Sequence, residues 1–310
     1  MEKNSKVLVL GGSGLVGSSI RRELANQGYI NVLAPTHAQL DLTIQNKVND
    51  YFQTHTPEYV FMAAAKVGGI QANNNYRADF ILQNLTIQNN LFLAALNSSV
   101  QKFLFLGSSC IYPKECSQPI KEEYLLTGPL EPTNEPYAIA KIAGLKTAES
   151  IRSQYGRMFF SAMPTNLYGV QDNFHRDNSH VIPGLIARLN DAMKKGDTNF
   201  EVWGTGKPYR EFLYVDDLAR ACVFLMNCKQ ELPDWVNIGT GSDISIKDLA
   251  NLIADVMGFK GKIVFNPKFP DGTMKKLLDV SKIKALGWSP EISLREGIQR
   301  TVDFFLDDPS

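Results

Sequence analysis

The stretch Val7-Leu8-Val9-Leu10-Gly11-Gly12-Ser13-Gly14-Leu15-Val16-Gly17 decides the fold. Its first four residues form a continuous apolar run, which reads as a central parallel strand buried on both faces. A glycine-rich turn follows at once. Behind it Ile20, Leu24 and Gln27 recur with helical spacing, and Gly28 closes the helix. A glycine motif by itself says little; strand, turn and helix in this order give it meaning. Gly11 permits the tight turn. Gly14 lets a pyrophosphate approach the helix N-terminus, where backbone N–H groups are free, and Gly17 allows close packing of helix on sheet. Gly11, Gly12, Ser13, Gly14, Leu15, Val16 and Gly17 are therefore candidate dinucleotide-binding residues.

Outward from this unit the chain alternates strands and helices. Strands are expected at Ile30 to Ala34, Tyr59 to Ala63, Lys102 to Leu106 and Met158 to Met163, with helices around Asn49 to Gln53 and Phe80 to Leu96. This rhythm predicts an α/β fold, a Rossmann-type parallel sheet with helices on both faces, followed by a smaller α/β substrate domain. We place the dinucleotide-binding part at residues 1–165, with returning segments near 210–240, and the substrate part mainly at 166–310. Asn84 and Asn90 are expected at helix ends or on a polar helix face. The second strand ends in Ala34-Pro35-Thr36-His37, and the first acid, Asp41, comes later. A carboxylate there would bind a free ribose hydroxyl and repel a 2′-phosphate, so its absence leans toward NADP. No arginine replaces it; Thr36 and His37 are modest phosphate ligands.

A second constellation lies downstream. Tyr137-Ala138-Ile139-Ala140-Lys141 follows Asn134-Glu135-Pro136, which suits entry into a helix. Four residues apart on a helix is one turn along one face. The ammonium is expected to favour the phenolate and lower the tyrosine pKa, fitting Tyr137 to pass a proton to or from an alcohol oxygen. Between the glycine turn and this helix, the fourth strand ends in Gly107-Ser108-Ser109-Cys110-Ile111-Tyr112-Pro113. The long connection to Pro136 carries prolines at 113, 119, 129 and 132 and reads as ordered.

The 310 residues, 44% of them apolar, are ample for a large core. Equal numbers of basic and acidic residues, 32 each, give no hint of a nucleic-acid or membrane surface. No apolar segment is long enough to span a bilayer, and Met1 to Lys6 lacks the apolar region of a secretory signal. The cysteines (Cys110, Cys116, Cys222, Cys228) form no close pair, which suits a reducing cytoplasm. No His/Cys/Asp group has metal spacing, and no metal is expected.

The glycine turn, the Ser-Ser-x-x-Tyr loop and Tyr-x-x-x-Lys together resemble the extended short-chain dehydrogenase/reductase superfamily. Longer blocks narrow the resemblance: Ala63-Ala64-Ala65-Lys66-Val67-Gly68-Gly69-Ile70, Gly107 to Pro113, Glu131 to Lys141, Asn166-Leu167-Tyr168-Gly169, Asp172-Asn173-Phe174, Asn178-Ser179-His180-Val181-Ile182-Pro183, Arg210-Glu211-Phe212 and Lys276-Leu277-Leu278-Asp279-Val280 are similar to the GDP-L-fucose synthase family. The resemblance spans Lys6 to about Phe305. It implies NADP(H), a GDP-4-keto-6-deoxy-D-mannose substrate, a homodimer, and a reaction that inverts C3 and C5 of the sugar before reducing C4.

By the same resemblance, Ser108, Tyr137 and Lys141 are the reductase set and Cys110 and His180 the epimerase acid/base pair. His37, Asp41, Leu42, Ala64, Lys66, Leu106, Pro164, Asn166, Leu167 and His180 would line the cofactor, together with Tyr137 and Lys141. Ser109, Arg188, Trp203, Arg210, Lys276 and Asp279 would line the substrate. Where bacterial relatives often carry an arginine past the second strand, this chain has His37. The chemistry is self-consistent: a C4 ketone acidifies C3–H and C5–H, and epimerisation needs a base on one face and an acid on the other. A thiolate of lowered pKa and an imidazole suit those tasks. A related nucleotide-sugar epimerase, such as a 4-epimerase or 3,5-epimerase, and a non-catalytic nucleotide-binding protein are the alternatives; a pure 4-epimerase has no need of Cys110 and His180, and the binding protein would be expected to lose Tyr137 or Lys141.

Overall fold

The computed structural model describes residues 1–175, 179–269 and 271–307. Asn178, from the quoted block that ends at Pro183, lies outside them. The apolar run is strand β1 (Val7–Leu10), and it is followed by α1 (Leu15–Asn26), β2 (Val32–Leu33), α2 (Gln45–His55), β3 (Tyr59–Met62), α3 (Ile70–Asn75), α4 (Arg77–Leu96), β4 (Lys102–Leu106), α5 (Glu135–Tyr155) and β5 (Met158–Pro164). These strands, with the later β10 (Trp235–Ile238), form a six-stranded parallel sheet in the order β10-β5-β4-β3-β1-β2. The strand order reverses direction beside β1. In open α/β sheets such a switch point opens a crevice at the carboxyl ends of the strands, where ligands bind.

Alternation along each strand divides the continuous apolar runs between two cores. Val7, Val9, Phe61, Leu104 and Leu106 face one side, with Ile20 and Leu24 of α1. Leu8, Leu10, Val60, Met62, Phe103 and Phe105 face the other, with Leu91 and Phe92 of α4 and Ala148 of α5. β2 is shorter than the expected Ile30 to Ala34. It pairs only through Val7 and Leu8 of β1 at the sheet edge, and Ile30 is 76% exposed.

The rest of the chain contributes β6 (Asn166–Tyr168), α6 (Val181–Lys195), β7 (Asn199–Trp203), β8 (Tyr209–Arg210), β9 (Phe212–Tyr214), α7 (Val215–Asn227), β11 (Ile244–Ser245), α8 (Ile246–Met257), β12 (Lys262–Asn266), β13 (Lys275–Lys276), α9 (Ser281–Ala285) and α10 (Leu294–Asp307). β10 returns to the main sheet beside β5, and α7 carries Leu218 and Cys222 into the same core as α1. α6, α8 and α10 close a third core around Leu185, Ile253 and Ile298.

The loop after β4 is anchored at three points. Ile120 N donates to Leu277 O at 2.7 Å, and Asp279 N donates to Ile120 O at 2.8 Å. Tyr112 Oη donates to Asn237 Oδ1 at 2.6 Å, and Glu122 Oε1 accepts from Asn237 N at 3.0 Å. These bonds satisfy polar groups that burial would otherwise leave unpaired.

α4 and α5 pack closely because α5 has no side chain at Gly144. A Cβ there would stand 2.3 Å from the Phe105 ring and 2.8 Å from Gln88 Oε1. Gln88, itself buried, donates to Ala140 O across the helix pair at 3.0 Å. Gly144→Ala is therefore expected to destabilise the fold by about 1–3 kcal/mol through overpacking. A melting temperature equal to that of the parent would show that this contact is not the constraint it is taken to be.

Candidate active site

The glycine turn is held by backbone. Gly14 N donates to Gly11 O at 3.0 Å, and Gly11 has φ +80°. A Cβ on Gly11 would stand 2.8 Å from Ala64 N in the loop after β3, and one on Gly17 would stand 2.1 Å from Gly11 O. At Gly14 the nearest atom would be 3.6 Å away, so space is left there. α1 has no side-chain N-cap and no acid in its first turn. Its first N–H groups are therefore available to an anionic group. A dinucleotide pyrophosphate fits this cradle. Ser13 and Gly14 are exposed at its rim, and Leu15 and Val16 are half-buried.

α4 holds the loops around that cradle. Asn84 Oδ1 accepts from Lys66 N and Asn84 Nδ2 donates to Lys66 O, both at 3.0 Å. Asn90 Nδ2 donates to Leu42 O at 2.9 Å. Both asparagines are buried, not solvated or at helix ends. Asp41 Oδ1 accepts from Thr43 N and Thr43 Oγ1 at 2.9 and 2.7 Å. Asp41 and His37 line an open cleft with Thr43, Leu82, Gln83 and Thr86.

The Tyr-x-x-x-Lys pair starts α5, with Tyr137 in its first turn. Lys141 is 4% exposed, and its Nζ donates to Leu106 O at 2.7 Å. That bond ties α5 to the end of β4, next to Ser108 and Cys110. Ser108 Oγ accepts from Cys110 N at 3.3 Å and opens the short turn Ser109–Ile111. Lys141 Nζ lies 5.7 Å from the centre of the Tyr137 ring.

Two electrostatic expectations are corrected here. The Tyr137 phenol is raised, not lowered, by burial first and by the neighbouring Cys110 second. Burial disfavours the charged form of either partner, and the ammonium is spent on a backbone carbonyl. The Cys110 thiol is also raised by burial. Against that, the ammonium of Lys276, the Ser108 hydrogen bond and the ammonium of Lys141 pull it down. Burial lowers Lys276 as well, while Cys110 raises it. The Ile120–Leu277 bridge brings Lys276 into this group, a proximity that no local spacing in the sequence signals.

His180 stands just before α6 as its N-cap; the residue is exposed at the surface, and desolvation by the groups around its ring lowers its pKa. Pro164 ends β5. Asn166 Nδ2 donates to Glu211 O at 2.8 Å, and Leu167 follows it on β6. Ser109 is buried beside Cys110.

The remaining residues named from the sequence lie around the smaller sheets. Trp203 stacks on Phe269 with ring centres 4.9 Å apart, and the Arg188 guanidinium lies 4.4 Å over the Trp203 ring. Phe269 was not anticipated; it lies in an irregular stretch after β12, where no periodicity marks it. Arg210 Nη1 donates to Tyr209 O at 2.8 Å, and burial lowers its pKa against the opposing pull of Asp271. Asp279 Oδ1 accepts from Ser281 N at 2.8 Å at the start of α9. Among the described residues no group of three or more His, Cys, Asp or Glu could hold a metal ion, and no helix is long and apolar enough to cross a membrane.

Comparison with known proteins gives a consistent picture. Residues 7–239 match the NAD dependent epimerase/dehydratase family. GDP-L-fucose synthase 1 of Arabidopsis thaliana is 54% identical over 305 residues, covering 98% of this chain and 94% of that protein. GDP-L-fucose synthase of Escherichia coli K12 is 50% identical over 313 residues, covering 98% and 97%. The crystal structure of a GDP-L-fucose synthetase from Naegleria fowleri bound to NADP superposes with a TM-score of 0.91 at 30% identity, covering 99% of this chain and 94% of that one.

Burial lowers Lys141 from 10.5 to about 8. Between those values the unfolded chain holds a proton that the folded chain does not, so this residue's contribution to stability rises with pH there, by roughly 3 kcal/mol in full. Lys141→Met should remove that rise. Its stability relative to the parent is expected to fall steadily from pH 8 to pH 10 in denaturant titrations; a constant difference would contradict the buried ammonium.

Proposed function

The chain belongs to the NAD dependent epimerase/dehydratase family, and we propose that it carries out the GDP-L-fucose synthase reaction. GDP-4-keto-6-deoxy-D-mannose is inverted at C3 and C5, and its C4 ketone is then reduced with NADPH to give GDP-L-fucose. The observation that carries this reading is the Lys141–Leu106 bond. It holds the Tyr137 helix against the strand tip that bears Ser108 and Cys110.

The cradle at Gly11 to Gly17 and the loops at His37, Asp41, Leu42, Ala64 and Lys66 would hold NADP(H), with Leu106, Pro164, Asn166, Leu167 and His180 on the nicotinamide side. When bound, the cofactor supplies the hydride. The chain supplies the rest. Ser108 and Tyr137 donate hydrogen bonds toward O4 and stabilise the enolate that forms when a proton leaves C3 or C5. Cys110 takes that proton as a thiolate, which Lys276 and Lys141 favour against burial, and His180 returns one on the opposite face. A Tyr137 phenol that burial keeps protonated is then the acid that protonates O4 during reduction. Lys141 holds the strand tip and would meet the nicotinamide ribose.

Arg188 and Arg210 are the cations for the diphosphate, and Trp203, stacked with Phe269 and Arg188, would pack near the base. Ser109, Lys276 and Asp279 complete the sugar side. Residues 1–165, with returning segments near 210–240, form the cofactor-binding part, and 166–310 mainly the GDP-sugar part. Four free cysteines suit a cytoplasmic setting. Exposed Leu82, Leu93 and Ile139 on α4 and α5 suit a homodimer through those helices. Sedimentation at micromolar concentration should give twice the 34.5 kDa chain mass, and a monomer would remove that proposal.

The reaction is tested by supplying the keto sugar and NADPH, following the nicotinamide absorbance, and identifying the product by NMR. Tyr137→Phe is expected to slow NADPH oxidation by about a hundredfold or more. Cys110→Ser should abolish deuterium exchange at C3 and C5 while leaving slow reduction to an unepimerised 6-deoxy sugar. Native exchange in Cys110→Ser would overturn its role, and absence of NADPH consumption by the parent would overturn the reaction.

A further inference from the structure

The end of β2 offers the adenosine ribose no carboxylate and no arginine, yet a guanidinium lies there in space. Arg21, on α1, reaches back over the glycine turn and donates from Nη1 to Gly12 O at 3.1 Å. A Cβ built on Gly12 would meet Ala34 Cβ at 2.9 Å and Arg21 Cδ at 3.0 Å. The Arg21 side chain and Ala34 are thus neighbours across Gly12, and Ala34 is the strand-end position where an acid would contact a free ribose 2′-hydroxyl.

The next residue, Arg22, is committed elsewhere, to Asp216 at 2.7 Å. Arg21 is exposed and has no carboxylate partner among the described residues. Its bond to Gly12 O fixes one edge of the guanidinium and reduces the conformational entropy lost when another group binds. His37, the position nearest in sequence to a phosphate ligand, lines the open cleft with Asp41 and the polar face of α4.

We propose that Arg21 recognises the ribose 2′-phosphate of NADP(H) in this chain and sets its preference over NAD(H); this rests on the cofactor reading above. A guanidinium held at this point can pair with two phosphate oxygens at once. An unphosphorylated ribose gives it no charged partner, so the interaction discriminates between the two cofactors.

The test compares the parent, Arg21→Gln, Arg21→Lys and His37→Ala. Dissociation constants for NADPH and NADH are read from nicotinamide fluorescence. That for adenosine 2′,5′-bisphosphate, which carries the 2′-phosphate without the nicotinamide, is read by calorimetry, and thermal melts check folding. Arg21→Gln is expected to weaken NADPH and the bisphosphate by about tenfold or more and to leave NADH within about twofold, with Arg21→Lys between it and the parent. Equal weakening of NADPH and NADH would mean that Arg21 only braces the glycine turn and would overturn the proposal. So would an unchanged NADPH affinity, or loss of the preference in His37→Ala alone. A parent protein that binds no NADPH would instead overturn the cofactor reading itself, and the proposal with it.

Discussion

A buried ammonium on a backbone carbonyl is the contact around which the site is assembled. Lys141 donates to Leu106 O at 2.7 Å where almost no water reaches it. Taking that charge out of water is unfavourable unless its hydrogen-bonding needs are met inside. The carbonyl is the last of β4, so the bond sets the angle of α5 against the sheet and the distance of Tyr137 from the tip that carries Ser108 and Cys110. Gly144 makes the same approach possible one turn further on, because no side chain keeps α5 from Phe105. One polar contact and one missing side chain together determine where Tyr137 stands relative to Ser108 and Cys110.

Burial has a second effect. It holds Tyr137 and Cys110 in their neutral forms and weakens the charge on Lys141 and Lys276. Each group disfavours ionisation of its own side chain, while opposite charges across the group favour it. Proton transfer within such a set moves charge between sites that already interact, without a large change in net charge. The sulfur is the member most dependent on its surroundings, since its thiolate is opposed by burial and supported by two ammonium groups.

The sheet was legible because its strands are short continuous apolar runs and its first turn has glycines at positions where the structure leaves no room for a Cβ, at Gly11 and Gly17. β2 was overextended because Ile30 has strand-like chemistry but sits exposed beyond the last pairing residue. The Tyr137 helix and the ordered long loop could be read from spacing and proline content. The sign of the Tyr137 shift could not: helical spacing reports that an ammonium is close but not that Lys141 is buried and Tyr137 largely desolvated beside it. Asn84 and Asn90 looked like surface polar residues because α4 hides its buried polar contacts among apolar ones, and their partners, Lys66 and Leu42, are loop carbonyls and amides that carry no side-chain signature. Arg21 was invisible for a similar reason. Its neighbour Ala34 is distant in sequence, and only the glycine turn between them brings the two together.

The loop that carries Cys110 depends on chain made much later. Ile120 is bracketed by Leu277 and Asp279, and Tyr112 and Glu122 rest on Asn237. During synthesis the cradle and the Tyr137 helix emerge from the ribosome well before those anchors do. Until they do, the loop that bears Cys110 lacks its bonds to Asn237, Leu277 and Asp279. The site is completed only when residues up to Asp279 have been released, together with α7, which shares a core with α1, and β10, which completes the sheet.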